Sequence, residues 1–198
     1  IKREICSQKL LINRSLIFYS IDYNSVPYLE RRTMEFRSVA MSDVDALWEL
    51  QTQLDNETKF MLYEAGERKK DLGPVEEVIR PVLQGRDFFE VAVEDDKLVG
   101  YLSARRGALA RTQHSVYVVT GVLKAYQNRG IATTFFTHLD QWARQNNVKR
   151  MELVVMAPNE AAIHVYQKAG FVLEGTLRYA VVVDGKFIDE FTMAKLIE

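Results

Sequence analysis

The residues best suited to chemistry in this sequence form one turn, where a strand-like apolar run gives way to a helical pattern. The turn reads Gln127-Asn128-Arg129-Gly130-Ile131-Ala132 and follows the run that ends at Leu123. Backbone N–H groups at such a helix start point outward with the positive end of the helix dipole, which suits a pyrophosphate group. Gly130 lets the backbone approach the anion without a Cβ, Ala132 keeps the first turn slim, and Arg129 adds a positive charge. The same residues also fit an ordinary connecting turn.

The sequence lacks the motifs of several other kinds of site. The sequence has no Gly-x-x-x-x-Gly-Lys-Ser/Thr loop, and the turn lacks the three glycines and downstream acidic residue of a dinucleotide fingerprint. No Gly-x-Ser-x-Gly elbow is present for a serine hydrolase. Three scattered histidines and one cysteine show no metal-ligand spacing, so no metal site is predicted.

A second segment, about thirty residues downstream, makes the interpretation of the turn more specific. It reads Asn159-Glu160-Ala161-Ala162-Ile163-His164-Val165-Tyr166-Gln167-Lys168-Ala169-Gly170-Phe171. Together the two segments resemble the GNAT superfamily of acyl-CoA-dependent N-acetyltransferases. The first is similar to the Gln/Arg-x-x-Gly-x-Gly/Ala pyrophosphate loop of that superfamily, and the second to its Asn-x-x-Ala-x-x-x-Tyr-x-x-x-Gly-Phe helix. The resemblance covers residues 34–198 in element order and does not cover residues 1–33.

This resemblance implies a role for each matched residue. The end of the fourth strand should splay from the fifth and offer backbone groups to the pantetheine arm of acetyl-CoA. The turn should hold the pyrophosphate, Asn159 should contact the cofactor arm, and Tyr166 should protonate the departing CoA thiolate. The residues expected to bind the cofactor are Thr120, Gly121, Val122, Gln127, Asn128, Arg129, Gly130, Ile131, Ala132, Thr133 and Asn159. From the residues alone, Asn159 also fits a helix cap near Ala162, and Tyr166 also fits a core aromatic.

The implied reaction is direct transfer of the acetyl group to a primary amine within a ternary complex. An alkyl ammonium with a pKa of about 10 is almost fully protonated at neutral pH, so its proton must leave to a base or through water. Some family members carry a glutamate five residues before the motif asparagine, where this chain has Val154. Glu152, His114, Glu190 and a water relay remain as alternatives for the base.

The amine acceptor is predicted only as a class: a small amine, a polyamine or a protein N-terminus. The first helices and the last hairpin usually bind the acceptor in this fold, and here they carry Asp55, Glu57, Glu64 and the pair Asp189-Glu190. Clustered carboxylates would suit a cationic amine, although Glu64 also fits a solvated charged loop. The rival function is a non-catalytic module that binds acyl-CoA as a sensor. The presence of both Tyr166 and Asn159 favours the enzyme. Cys6 lies outside the matched region, so no acyl-cysteine route is expected.

Composition bounds the partners and the compartment. The chain has 198 residues, with 26 Lys plus Arg against 27 Asp plus Glu and a net charge of −1. Because the charge is balanced, no nucleic-acid partner is expected. One cysteine excludes an intramolecular disulfide and fits a reducing cytoplasm. No apolar run approaches the roughly 18 to 20 residues of a membrane helix, so no membrane partner is expected.

Hydrophobic periodicity predicts the elements that must position these residues. Over residues 34–198 the order is β, α, α, β, β, β, α, β, α, β, β, which predicts a mixed α/β fold with helices on both sides of the sheet. The helix that starts at Ile131 is expected to run for about 16 residues. Asp184-Gly185 predicts a two-residue hairpin turn between the last two strands. An edge strand also offers a route to a homodimer.

Residues 1–33 stand apart as an N-terminal extension. Asn13 and Arg14 interrupt the apolar run between Leu10 and Phe18, which does not fit a secretory signal. Met34 is predicted as the natural start, with the preceding residues as upstream read-through or a lineage-specific extension. A strand or helix added to the domain is the alternative.

Overall fold

The predicted element order is present in a computed structural model, which describes residues 33–198. The predictions for residues 1–33 therefore fall outside the described residues, except at Thr33. The strands are β1 (Glu35–Ser38), β2 (Phe88–Glu94), β3 (Lys97–Arg106), β4 (Ser115–Val122), β5 (Arg150–Met156), β6 (Val172–Val183) and β7 (Lys186–Leu196). The helices are α1 (Val44–Glu57), α2 (Gly73–Leu83), α3 (Ile131–Gln145) and α4 (Glu160–Lys168). No helix within this described range is long and apolar enough to cross a membrane.

The seven strands form one mixed sheet in the order β1-β2-β3-β4-β5-β7-β6. All neighbours are antiparallel except β4 and β5, which run parallel. Their ladder joins only Ser115–Tyr117 to Arg150–Glu152, although β4 continues to Val122 and β5 to Met156. The two strands therefore separate beyond Tyr117, which confirms the predicted splay and opens a gap within the sheet.

Each face of the sheet has its own apolar core. Helices α3 and α4 pack on one face, where Phe135 and Leu139 meet Val116 and Met151. Helices α1 and α2 pack on the other face, over β2 and β3. Alternate side chains of a strand point to opposite faces, which is why one strand supplies both cores. On the α1 face the helices leave the start of β4 open, and Tyr117 is 44% exposed there.

Local sequence explains the boundaries of the elements nearest the gap. The buried side chains of α3 recur at helical spacing, from Ile131 through Phe135 and Leu139 to Ala143, over 15 residues. The turn between β6 and β7 is Asp184-Gly185, with φ of 49° and 73°. Two positive φ values are typical of the tight hairpin turn predicted there.

Candidate active site

The turn before α3 leaves its helix N-terminus open. Gly130 is the N-cap with φ of 80°, a conformation that favours glycine, and no side chain of the described residues caps it. The first intrahelical bond runs from the Thr134 N–H to the Gly130 carbonyl at 3.0 Å. The N–H groups of Ile131, Ala132 and Thr133 precede that bond and have no partner within the helix. A Cβ at Gly130 would meet open space, so these donors lie at an accessible surface that suits an anion.

Two side chains of the turn hold it in place. Gln127 Nε2 donates to the Val122 carbonyl at 3.2 Å, which ties the turn to the end of β4. Arg129 donates to both carboxylate oxygens of Glu94, at 2.5 and 3.2 Å, and Glu94 is only 3% exposed. The hydrogen bonds that Arg129 donates to Glu94 raise the pKa of Arg129. The positive charge that the sequence suggested for the pyrophosphate is thus shared with a buried carboxylate, and Arg129 anchors the turn to β2.

At the end of β4, some backbone groups face the gap between β4 and β5, and one residue packs against α1. The Leu123 N–H donates to the Val99 carbonyl at 3.0 Å, so the backbone groups of every second residue before it also face β3. By alternation, the N–H groups of Thr120 and Val122 face the gap. Gly121 has a packing role, because a Cβ there would lie 2.7 Å from Leu54 Cδ1 of α1.

Helix α4 presents the two predicted residues of the second segment. Asn159 Oδ1 accepts a hydrogen bond from the Ala162 N–H at 3.2 Å, so the capping role is confirmed. The Tyr166 ring packs edge-on against Phe136 and tilted against Phe171, with centroids 5.7 and 6.2 Å away. Burial, with a smaller contribution from Tyr117, raises the pKa of Tyr166 to about 12. The phenol therefore remains protonated at neutral pH, as a proton donor must.

Two further phenols lie near Tyr166 and were not predicted. Tyr117 of β4 and Tyr101 of β3 belong to the α1 face, whereas Tyr166 packs on the α3 face. Even so, burial is the main cause of the raised pKa of Tyr166 and of Tyr101, with a smaller contribution from Tyr117 to the first and from Tyr166 to the second. These influences act across the sheet, in which β4 and β5 separate beyond Tyr117. The one indication in the sequence that Tyr117 lies near the site is its position three residues before Thr120, where the predicted cofactor-binding residues of β4 begin.

The three candidate bases occupy different surroundings. Glu152 accepts a hydrogen bond from Arg150 Nε at 2.7 Å, so its carboxylate already has a protein partner. His114 lies at the far end of β4, next to the loop from β3. Glu190 of β7 stands opposite Met156, at the end of β5. Burial raises the pKa of Glu190. Burial also raises the pKa of Tyr117, with smaller contributions from the charges of Glu190 and Glu152.

Most carboxylates that the sequence suggested for a cationic acceptor already have protein partners. Asp55, which is 3% exposed, is bound by Arg68 Nε at 2.5 Å. Glu57 accepts from the Lys124 N–H at 2.7 Å, and Asp189 accepts from the Tyr179 N–H at 2.8 Å. Glu64 is exposed in the loop after α1. These contacts occupy the carboxylates and weaken the case for a strongly cationic acceptor.

An open helix N-terminus, a splayed strand pair and a buried phenol are the features that the sequence resemblance implied. Residues 44–171 match the Acetyltransferase (GNAT) family. The chain belongs to the GNAT family. It is 33% identical over 110 residues to the L-amino acid N-acetyltransferase AaaT of Escherichia coli, a match that covers 54% of this chain and 66% of that protein.

Solved GNAT structures share the fold of this chain. A GNAT acetyltransferase from Streptococcus pneumoniae superposes with a TM-score of 0.79 at 24% identity, over 84% of this chain and all of the other. A putative acetyltransferase from Salmonella typhimurium, solved with its cofactor acetyl-CoA, gives a TM-score of 0.72 at 19% identity, over 83% and 94% of the two chains. At these identities the likeness concerns the fold of the GNAT family.

Proposed function

We propose that this chain transfers the acetyl group of acetyl-CoA to a primary amine by direct attack within a ternary complex. The observation that carries the proposal is the open N-terminus of α3, which lies at the end of a strand that has separated from its parallel neighbour. The N–H groups of Ile131, Ala132 and Thr133 would bind the pyrophosphate. The N–H groups of Thr120 and Val122 would bind the pantetheine arm, and the side-chain amide nitrogen of Asn159 would contact it.

The residues around the gap suit each step of an acyl transfer. The neutral amine attacks the thioester carbon, and a strand N–H facing the gap stabilises the oxyanion. A deprotonated base accepts the proton that the nitrogen loses once its bond to carbon has formed. As the C–S bond breaks, the Tyr166 hydroxyl donates its proton to the sulfur. Exclusion of water raises the pKa of a thiol as it raises that of a phenol, so the proton donor and its acceptor shift together.

Glu190 is the base that we propose, because its raised pKa makes it a better proton acceptor near neutral pH. The base acts deprotonated, so kcat/KM rises with pH through its pKa, and ionisation of the amine adds a second rise at higher pH. Glu190→Gln is expected to lower kcat/KM by about 10²-fold and to reduce the slope of log(kcat/KM) below that pKa from two to one.

The matched control for Glu190 is Glu152→Gln, which removes a carboxylate already paired with Arg150. This variant is expected to keep the slope of two. If Glu152→Gln loses the acidic limb and Glu190→Gln retains it, the base has been assigned to the wrong residue.

The proposed activity is tested by thiol release from acetyl-CoA across a panel of primary amines, followed by mass spectrometry of the products. A rise of 42 Da in one or more amines is expected. Acetyl-CoA binding by calorimetry without thiol release from any amine would instead support the sensor module, since that protein needs the cofactor site alone.

Dimerisation through β6 is a further proposal. This strand is at the end of the sheet and carries exposed apolar side chains, among them Val172, Leu173 and Leu177. An exposed apolar edge strand is a ready surface for pairing with a second copy. Light scattering would then give twice the chain mass of 22.8 kDa.

A further inference from the structure

A cavity of about 660 Å³ lies beside the gap, on the α1 face of the sheet. Tyr117 and Glu152 line one end of it, and they are the last pair of the β4–β5 ladder. The other end is lined by the β3–β4 loop and by Pro81 of α2. The cavity therefore begins where the two strands separate and extends away from the turn before α3.

The lining of this cavity is positively charged. Four arginines line it, and only two carboxylates do, although the whole chain has a net charge of −1. The arginines are Arg86, Arg105, Arg106 and Arg150, and the carboxylates are Asp87 and Glu152. Because the surplus is local, it marks this cavity as a site for an anion.

The arginines differ in how far they are already paired. Arg106 donates to the carbonyls of Gln113, Asn146 and Arg86, at 2.8, 2.9 and 3.2 Å. Arg150 is bound by Glu152 and Glu174. Arg105 is exposed and forms no hydrogen bond or ion pair with any residue between 33 and 198. It is therefore a cation available to a ligand.

We propose that this cavity binds a carboxylate of the acceptor, so that the substrate is a primary amine with an anionic group at its other end. The inference rests on the proposed function, which puts the amine at the gap. Arg105 stands directly opposite Tyr117 in the β3–β4 ladder, and a guanidinium pairs well with a carboxylate.

The strand geometry also predicts how far apart the two groups of the acceptor are. Neighbouring strands are about 5 Å apart and a strand rises about 3.3 Å per residue. The cavity extends along β4 from Tyr117 to His114, so an anion inside it lies roughly 5 to 10 Å from the gap. An α-amino acid is too short for this span, whereas an ω-amino acid or a peptide with an acidic residue near its N-terminus fits it.

A series of ω-amino acids of increasing length tests the proposal against n-alkylamines with the same carbon count. The carboxylate form is expected to show at least tenfold higher kcat/KM at an intermediate length, through KM. Arg105→Gln should remove that preference and leave the alkylamines unchanged. Arg144→Gln, which changes an exposed arginine on the opposite face, should keep it. Peptides with acidic second or third residues form a parallel arm that separates a small acid from a protein N-terminus.

A binding measurement separates this inference from the proposed function. The N-acetyl ω-amino acids of every length in the series are titrated into the protein with coenzyme A present, which requires no turnover. Tighter binding to the unsubstituted protein than to Arg105→Gln supports the cavity whatever the thiol assay gives. Acetylation of alkylamines with no preference for any carboxylate would overturn the inference and leave the acetyltransferase function intact. Equal binding to both proteins would also overturn it.

Discussion

Tyr166→Phe is expected to lower kcat by about 10²-fold or more and to leave acetyl-CoA affinity nearly unchanged. The hydroxyl is the group that would meet the thiolate, and its pKa of about 12 keeps the proton in place until the C–S bond breaks. A phenyl ring preserves the packing against Phe136 and Phe171, so the fold should be retained. Steady-state thiol release gives kcat, and calorimetry gives the affinity for acetyl-CoA.

The control for this substitution is Tyr179→Phe, which removes the hydroxyl of an exposed tyrosine on β6. The ring of Tyr179 packs against Phe187, and phenylalanine preserves that contact. A second arm uses an acyl donor with a more acidic thiol, because such a leaving group needs less protonation and should shrink the defect of Tyr166→Phe. The absence of a pre-steady-state burst would show that chemistry limits kcat. Under that condition, an unchanged kcat in Tyr166→Phe would show that another group protonates the thiolate.

Ala132→Glu is expected to weaken acetyl-CoA binding by about 10²-fold. The new carboxylate lies in the first turn of α3, beside the N–H groups that would hold the doubly charged pyrophosphate. At about 5 Å, with an effective dielectric constant between 20 and 80, the repulsion is roughly 2 to 7 kcal/mol before screening by salt. Calorimetry at two ionic strengths measures the loss, which should be smaller at the higher one.

The loss of acetyl-CoA affinity in Ala132→Glu should not be accompanied by a loss of stability. A glutamate near a helix N-terminus interacts favourably with the helix dipole, so the melting temperature of the ligand-free protein should not fall. Ala132→Gln, which adds similar bulk without charge, should retain most of the affinity. If Ala132→Glu and Ala132→Gln bind acetyl-CoA equally well, the pyrophosphate does not lie at this turn.

Much of the fold and part of the site follow from short stretches of sequence. The stripe from Ile131 to Ala143 and the turn Asp184-Gly185 determine α3 and the last hairpin, because helical and turn signals act between residues close in the chain. Gly130 and Asn159 are local in the same sense: one adopts a positive φ, and the other caps the helix that follows it.

The remainder of the site depends on contacts between distant residues. Arg129 with Glu94 and Asp55 with Arg68 are pairs from different elements, and no spacing in the sequence indicates either. The influence of Tyr117 on the pKa of Tyr166 joins residues from β4 and α4, two elements far apart in the chain. The cavity beside Arg105 depends on which strands α1 and α2 leave uncovered.

The sequence by itself thus determined the helices, the turns and the residues that begin or end them, since those are stabilised by neighbours along the chain. Only the tertiary structure decided which charges are neutralised, which phenols influence one another across the sheet and where a cationic surface remains open. Those outcomes depend on strand register and on helix packing across the sheet, which bring together side chains that lie tens of residues apart.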